Sequence, residues 1–354
     1  MKALEPLTPA LEEVLDRFRA GQRLGLARAI TAVEAERPGF QALLHAATRG
    51  GPRGRRIGFT GPPGAGKSSL VAQVATACRA RGETVGIVAV DPTSPFSGGA
   101  LLGDRIRMNE LATDPGIFIR SMATRGSLGG LATATEEVID LMDGFGFDRV
   151  IVETVGVGQT ELEIQSAADT VVVTLVPESG DGIQAMKAGL MEIADIFVVN
   201  KSDRPGADRL VKELALAIHL RTGEALRDVP AHHGVQLTPR PAAPAAARVD
   251  EESPWEIPVL KTVAQTGQGV SELLEALDRH RDHLEASGAL KERRRARAAA
   301  RVLSVVERQL GRLAWQQPGA RRILDRGLDA IEAGGGTPYS VAEDVVQNLL
   351  GAKG

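Results

Sequence analysis

Cysteine occurs once in this chain of 354 residues, at Cys78. A lone cysteine forms neither an internal disulfide nor a multi-cysteine metal site, so a bridged scaffold is excluded and a reducing compartment, the cytoplasm, is expected. Aromatic residues make up only 3% of the chain, too few to interleave with basic residues as a stacking platform for single-stranded nucleic acid. The formal net charge of −3 gives no whole-molecule attraction to nucleic acid or to an anionic membrane. No run reaches the roughly 20 apolar residues a spanning helix needs. Met1 to Gly21 mixes acids and bases and lacks the apolar stretch and small-residue cleavage site of a secretory signal. What is present, 43% hydrophobic and 25% charged residues, is the composition of a globular protein with a substantial core.

The chain opens with helical signals. Thr8-Pro9 ahead of Leu11, Glu12 and Glu13 reads as an N-cap, a proline in the first turn and acids near the positive helix end. A second helix is expected from Leu24 to Glu36, with Leu26, Ile30 and Val33 on one face, so that residues 1–50 form an N-terminal helical extension. From Arg56 the pattern changes to short apolar runs separated by helical stretches: Ile57 to Thr60, Val85 to Val90, Ile117 to Arg120, Val150 to Glu153, Thr170 to Leu175, Ile196 to Asn200 and Ile257 to Lys261. This predicts an α/β fold over residues 51–287, a mostly parallel central sheet flanked by helices. A Pro/Ala-rich stretch at 229–256 has too few periodic apolar residues to form an element and is expected as a surface excursion. Beyond Val270 the chain reads helical to Arg326. Ser340-Val341-Ala342-Glu343 supplies a capping box for a last short helix, within a C-terminal helical arm at 288–354.

Gly61-Pro62-Pro63-Gly64-Ala65-Gly66-Lys67-Ser68 has the spacing of a Walker A loop. It follows an apolar strand and precedes the helix opening Ser69-Leu70-Val71, the context that phosphate binding requires. Glycines let backbone N–H groups curl around a β-phosphate, Lys67 reaches β and γ oxygens, and the Ser68 hydroxyl is suited to Mg²⁺ at a helix N-terminus. Asp91, Asp104 and Glu153 follow or end strands, where open parallel sheets bind ligands, and are the candidate carboxylates of a magnesium site. Mg²⁺ takes one or two carboxylates and keeps several waters, so not all three need be direct ligands. For Asp104 the alternative is an ordinary loop acid paired with Arg105 or Arg107.

Glu153-Thr154-Val155-Gly156 matches the acid-x-x-Gly element whose glycine N–H senses a γ-phosphate, with Glu in place of the usual Asp. The following Val157 cannot orient an attacking water as a glutamine would, which predicts slow intrinsic hydrolysis. Asn200-Lys201-Ser202-Asp203 follows another apolar strand and has the N-K-x-D spacing of guanine recognition. The Asp203 carboxylate can accept from N1–H and the exocyclic amine of guanine, whereas adenine offers an acceptor at N1 and would leave that charge unpaired. Thr262-Val263-Ala264 stands where a backbone contact to the base oxygen is expected, Val263 replacing the more common serine. GTP or GDP is the implied ligand.

These motifs, together with Gln22 to Thr31, Val90 to Pro95, Gly103-Asp104-Arg105, Ile119 to Gly126, Glu153 to Gln159 and Gln184 to Leu190, make the chain resemble the MeaB/ArgK family of SIMIBI-class GTPases. Those proteins are chaperones of adenosylcobalamin-dependent acyl-CoA mutases such as methylmalonyl-CoA mutase. The resemblance implies a homodimer built partly by the C-terminal arm. Its function would be to gate adenosylcobalamin loading and to protect or reactivate the mutase, with an adenosyltransferase as a further partner. It also implies that Ser68, Asp91, Asp104 and Glu153 form the magnesium neighbourhood, that Lys67 and Gly156 serve hydrolysis, and that Asp181 and Lys187 lie in a third switch. The long Pro/Ala-rich stretch and Val263 depart from the pattern.

Two other functions fit parts of the sequence. A kinase or ATPase linked to amino-acid transport would use the same Walker A loop, though N-K-x-D argues for guanine. A metal-insertion GTPase would give His232-His233 a role, yet paired loop histidines are ordinarily surface residues. Lys291 to Arg301 spreads its charges around a helix and reads as a solvated or dimer-facing surface. Asp278-Arg279-His280 begins like the Asp-x-His-x-x-Gly element that holds cobalamin through histidine. His283 occupies the glycine position, so this stretch is expected on a helix surface.

Overall fold

The structure, a computed structural model, describes residues 5–92, 111–124, 133–154, 160–177, 189–221 and 254–351. Residues Met1–Leu290 and Lys291–Gly354 form two compact units.

In the first unit the chain begins with α1 (Pro9–Arg19), α2 (Arg23–Glu34) and α3 (Phe40–Ala47). Thr8 caps α1 as its sequence requires, its hydroxyl accepting from Leu11 N–H. The strands are β1 (Arg55–Thr60), β2 (Val85–Pro92), β3 (Ile117–Thr124), β4 (Arg149–Thr154), β5 (Thr170–Leu175), β6 (Ile196–Val199) and β7 (Val259–Lys261). They form one sheet in the order β3-β2-β4-β1-β5-β6-β7, and each pairing is parallel. The sequence reading of a mostly parallel sheet therefore holds. The crossovers carry α4 (Lys67–Ala80), α5 (Thr133–Phe145), α6 (Thr160–Ala167), α7 (Leu190–Ile193) and α8 (Ala207–Arg221), and α9 (Val270–Ala286) follows β7.

Alternation along the strands divides the core between the two faces. Ile57, Phe59, Ile87, Ile151, Val172 and Val198 pack with α4 and α9. On the opposite face Val88, Val90, Val150 and Val152 pack with α5 and with Leu15, Leu26 and Leu43 of the first three helices. Those helices thus share a core with the sheet. Arg23 of α2 also donates to the carbonyls of Asp114 and Ile117, and Arg120 of β3 pairs with Glu34, so polar contacts fasten α2 along the edge strand.

The N-terminal ends of the strands carry ion pairs. Arg149, almost fully buried, binds Glu83 bidentately and Asp278, which also meets Arg55 and Arg81. Burial opposes the Arg149 charge, but the bonds to Glu83 and the field of Asp278 outweigh it and hold the guanidinium above its ordinary value. Arg56, beside it in β1, pairs with Asp140 and Asp143 of α5, and Asp143 Oδ1 also accepts from the backbone N–H of Arg53 and Gly54.

The expected helix surface at Asp278-Arg279-His280 is corrected here. His280 is fully buried. Its Nδ1 lies 2.8 Å from Thr170 Oγ1 and its Nε2 3.3 Å from Asp195 Oδ1, and its ring packs against Trp255 with centroids 4.7 Å apart. The Trp255 indole N–H donates to Asp195 O at 2.8 Å. At the other side of the 222–253 segment, Arg221 donates to Met191 O.

In the second unit, helix α10 (Ala289–Gln316), which starts at its boundary, leads to α11 (Ala320–Glu332) and α12 (Pro338–Gly351). The expected continuous helical stretch to Arg326 is therefore broken at Ser287-Gly288 and again at Gln317 to Gly319. The last helix also starts earlier than its expected capping box. Thr337 Oγ1 accepts from Ser340 N–H at 3.2 Å and Pro338 fills the first turn, repeating the Thr-Pro start of α1. None of the described helices is long and apolar enough to cross a membrane.

Candidate nucleotide site

At the C-terminal end of β1 the chain turns into the phosphate loop. Gly61, Gly64 and Gly66 have φ of +133°, +77° and +84°, a region that L side chains rarely adopt. Two of these glycines are also required by space. A Cβ at Gly61 would overlap the Thr174 carbonyl oxygen, and one at Gly66 would lie 2.5 Å from Asn200 Nδ2. Ala65 N–H closes onto Pro62 O at 3.3 Å. Gly66 caps α4, whose first turn holds Lys67, Ser68 and Ser69, so the N–H groups and positive dipole end of a helix start face the loop. Lys67 Nζ donates to Gly61 O at 2.7 Å and to Pro62 O at 3.0 Å.

The register Phe59↔Glu153 places Glu153 at the end of β4 beside the loop. There it accepts from the Ser68 hydroxyl at 2.6 Å, both residues being buried. A hydroxyl and a carboxylate side by side form an all-oxygen donor pair, the chemistry a hard cation such as Mg²⁺ takes. Asp91 belongs to the end of β2, on the other side of β4. Its side chain, and the residues Asp104, Gly156, Val157, Asp181 and Lys187, lie outside what the structure describes, as do His232 and His233. Among the described residues no group of three His, Cys, Asp or Glu side chains could hold a metal.

The base side of the site is built on β6 and β7. Asn200 Nδ2 donates to Ala65 O at 2.8 Å, and its Oδ1 accepts from Thr262 Oγ1 and from Ala264 N–H, each at 3.1 Å. Lys201, at a φ of +54°, reaches Gly64 O with Nζ at 2.9 Å. Ser202 N–H donates to Thr262 O at 3.0 Å, and Asp203 is exposed at the mouth. Val263 is bridged to Gln268, which turns the 263–268 segment back on itself. The three sequence segments, Gly61 to Ser69, Asn200 to Asp203 and Val263-Ala264, are thus brought together. Thr262 was read only as the first residue of the base-contact element; its role in fixing the asparagine was not. A hydroxyl directly before Val263-Ala264 was the available signal.

A phosphate loop at a strand-to-helix turn, tied to an N-K-x-D segment on the same sheet, defines a P-loop nucleotide-binding protein. Known proteins give the family. The family described as methylmalonyl Co-A mutase-associated GTPase MeaB matches residues 26–319. A protein of Pyrococcus horikoshii named as a GTPase is 42% identical over 346 residues, covering 96% of this chain and 99% of that one. The GTPase ArgK of Escherichia coli is 43% identical over 197 residues, 54% of this chain and 60% of that protein. The mitochondrial methylmalonic aciduria type A homolog of Mus musculus is 34% identical over 308 residues, 82% of this chain and 68% of that protein. A solved structure described as a LAO/AO transport system kinase superposes with a TM-score of 0.63 at 28% identity, covering 96% of this chain and 98% of that one. The chain belongs to the MeaB family and is a GTPase.

Proposed function

We propose that this GTPase is a magnesium-dependent switch that gates adenosylcobalamin loading into an acyl-CoA mutase and protects or reactivates that enzyme. The observation that carries the nucleotide half of the proposal is Asn200, which joins the phosphate loop to the Thr262–Ala264 segment. The partner half is supported by the family's description as mutase-associated and by the name of the mouse relative.

In this reading the loop N–H groups and Lys67 hold the β and γ phosphates, while Asp203 reads the guanine edge. Ser68 and Glu153 hold Mg²⁺, directly or through water, with Asp91 and Asp104 completing its surroundings. When bound, the ion neutralises charge on the phosphate oxygens. Gly156 senses the γ-phosphate, and Asp181 and Lys187 relay its presence to the mutase. Val157 offers no side chain to orient water, so unassisted turnover is slow. Mutase contact raises it.

The C-terminal helices are proposed as a homodimerisation arm in the cytoplasm. Along α10 the residues Ala299, Leu303, Val306, Leu310 and Leu313 follow the four-three spacing of a coiled-coil seam. No residue of that helix is buried, and its four larger seam residues are 43% to 64% exposed.

The test is capture of a cobalamin-dependent mutase by the chain loaded with a non-hydrolysable GTP analogue. Recovery of the mutase with the analogue and less with GDP is expected, whereas no mutase subunit in either eluate would refute the partner role. The kinase reading, which the similar solved structure carries in its description, is separated by competition. Labelled GDP should be displaced by GTP and not by equal ATP; equal displacement by ATP would overturn guanine selectivity.

A further inference from the structure

Thr174 is the fifth residue of β5 and its side chain is fully buried. Its hydroxyl oxygen has no hydrogen-bond partner among the described residues. A valine has nearly the same shape without the unmet polar atom, and β5 uses valine at Val171, Val172 and Val173. Thr170, the other threonine of the strand, is accounted for by His280. The fold alone gives no reason for a hydroxyl at 174.

Its location does. The register Phe59↔Val172 and the alternation of side chains put Thr174 on the sheet face that packs under α4. Its backbone carbonyl is the group against which Gly61 closes. The hydroxyl therefore lies beneath the phosphate loop, next to the segment whose carbonyls, Gly61 O and Pro62 O, accept from Lys67 Nζ. An ammonium has three N–H groups. With a diphosphate, those two carbonyls and one β oxygen use all three. A triphosphate adds a γ oxygen, a fourth acceptor, and one carbonyl must lose its share of the lysine.

We propose that Thr174 is a positioning residue specific to the triphosphate complex, its hydroxyl donating to the loop carbonyl that Lys67 releases when it takes the γ-phosphate. This rests on the phosphate-site reading above. It adds a second way for the chain to tell GTP from GDP, through the floor of the loop as well as through Gly156.

The experiment measures GDP and a non-hydrolysable GTP analogue by titration calorimetry on the full chain with magnesium, for wild type, Thr174→Val and Thr174→Ser. Thr174→Val is expected to weaken the analogue about tenfold, equivalent to ~1.4 kcal/mol, and to leave GDP within about twofold, since one bond is lost only in the triphosphate complex. Thr174→Ser, which keeps the hydroxyl, should restore the analogue affinity. Thermal unfolding without nucleotide should show Thr174→Val at least as stable as wild type. Equal losses for both nucleotides, no loss for either, or a marked loss of stability without nucleotide would each overturn the proposal. Failure of wild type to bind GDP at all would instead overturn the phosphate-site reading and this inference with it.

Discussion

Cys78 sits on α4 with no exposed surface, and burial pushes its thiol from an ordinary 9.0 up to about 12, the Arg149 charge only partly offsetting this. The folded chain should therefore resist a thiol-specific reagent at pH 8, reacting only once denaturant unfolds it. Because the folded thiol keeps its proton longer than the unfolded one, its contribution to stability is complete below pH 9 and is lost as pH rises towards 12. Denaturant titrations across that range should show a decline that is shallower in Cys78→Ala. At this scale the motif residues were legible because each motif is a contiguous segment with fixed spacing. Thr262 and His280 were not, because what defines them is contact with Asn200, Thr170 and Asp195, residues far away in sequence.

Among the elements, β1 and α5 are joined by a carboxylate that serves three donors. Asp143 accepts from Arg53 N–H, Gly54 N–H and Arg56 Nε. Removing it strands a buried guanidinium with Asp140 as its remaining partner, and breaking such a pair typically costs about 3 kcal/mol or more. Asp143→Ala should lower the urea midpoint accordingly while GDP affinity, measured below the transition, changes little, since the pair lies at the opposite end of β1 from the phosphate loop. The parallel strands were readable as unbroken apolar runs because both faces are covered. Helix ends were less so. The last helix was read as starting at Ser340 to Glu343, whereas it begins at Pro338, with Thr337 Oγ1 accepting from Ser340 N–H.

For the whole molecule, the seam on α10 makes a prediction about assembly. Leu303→Glu with Leu310→Glu places charges in the proposed contact and should convert the proposed dimer to a monomer by light scattering, with GDP affinity kept within about twofold. An unchanged mass would send the search for the dimer contact elsewhere. The alternation of strands and helices made the GTPase architecture legible. The number of helices in the C-terminal unit was harder to read, because α10 and α11 are mostly exposed and give no core face to mark their limits.

Arg221 and Trp255 flank the 222–253 segment and are both bonded to carbonyls of one short turn, Met191 and Asp195. Departure and return at a single spot make this a natural port for engineering. Loop closure depends only weakly on length, about 0.6 kcal/mol per doubling. A fluorescent reporter or affinity handle could therefore be grafted between those two anchors.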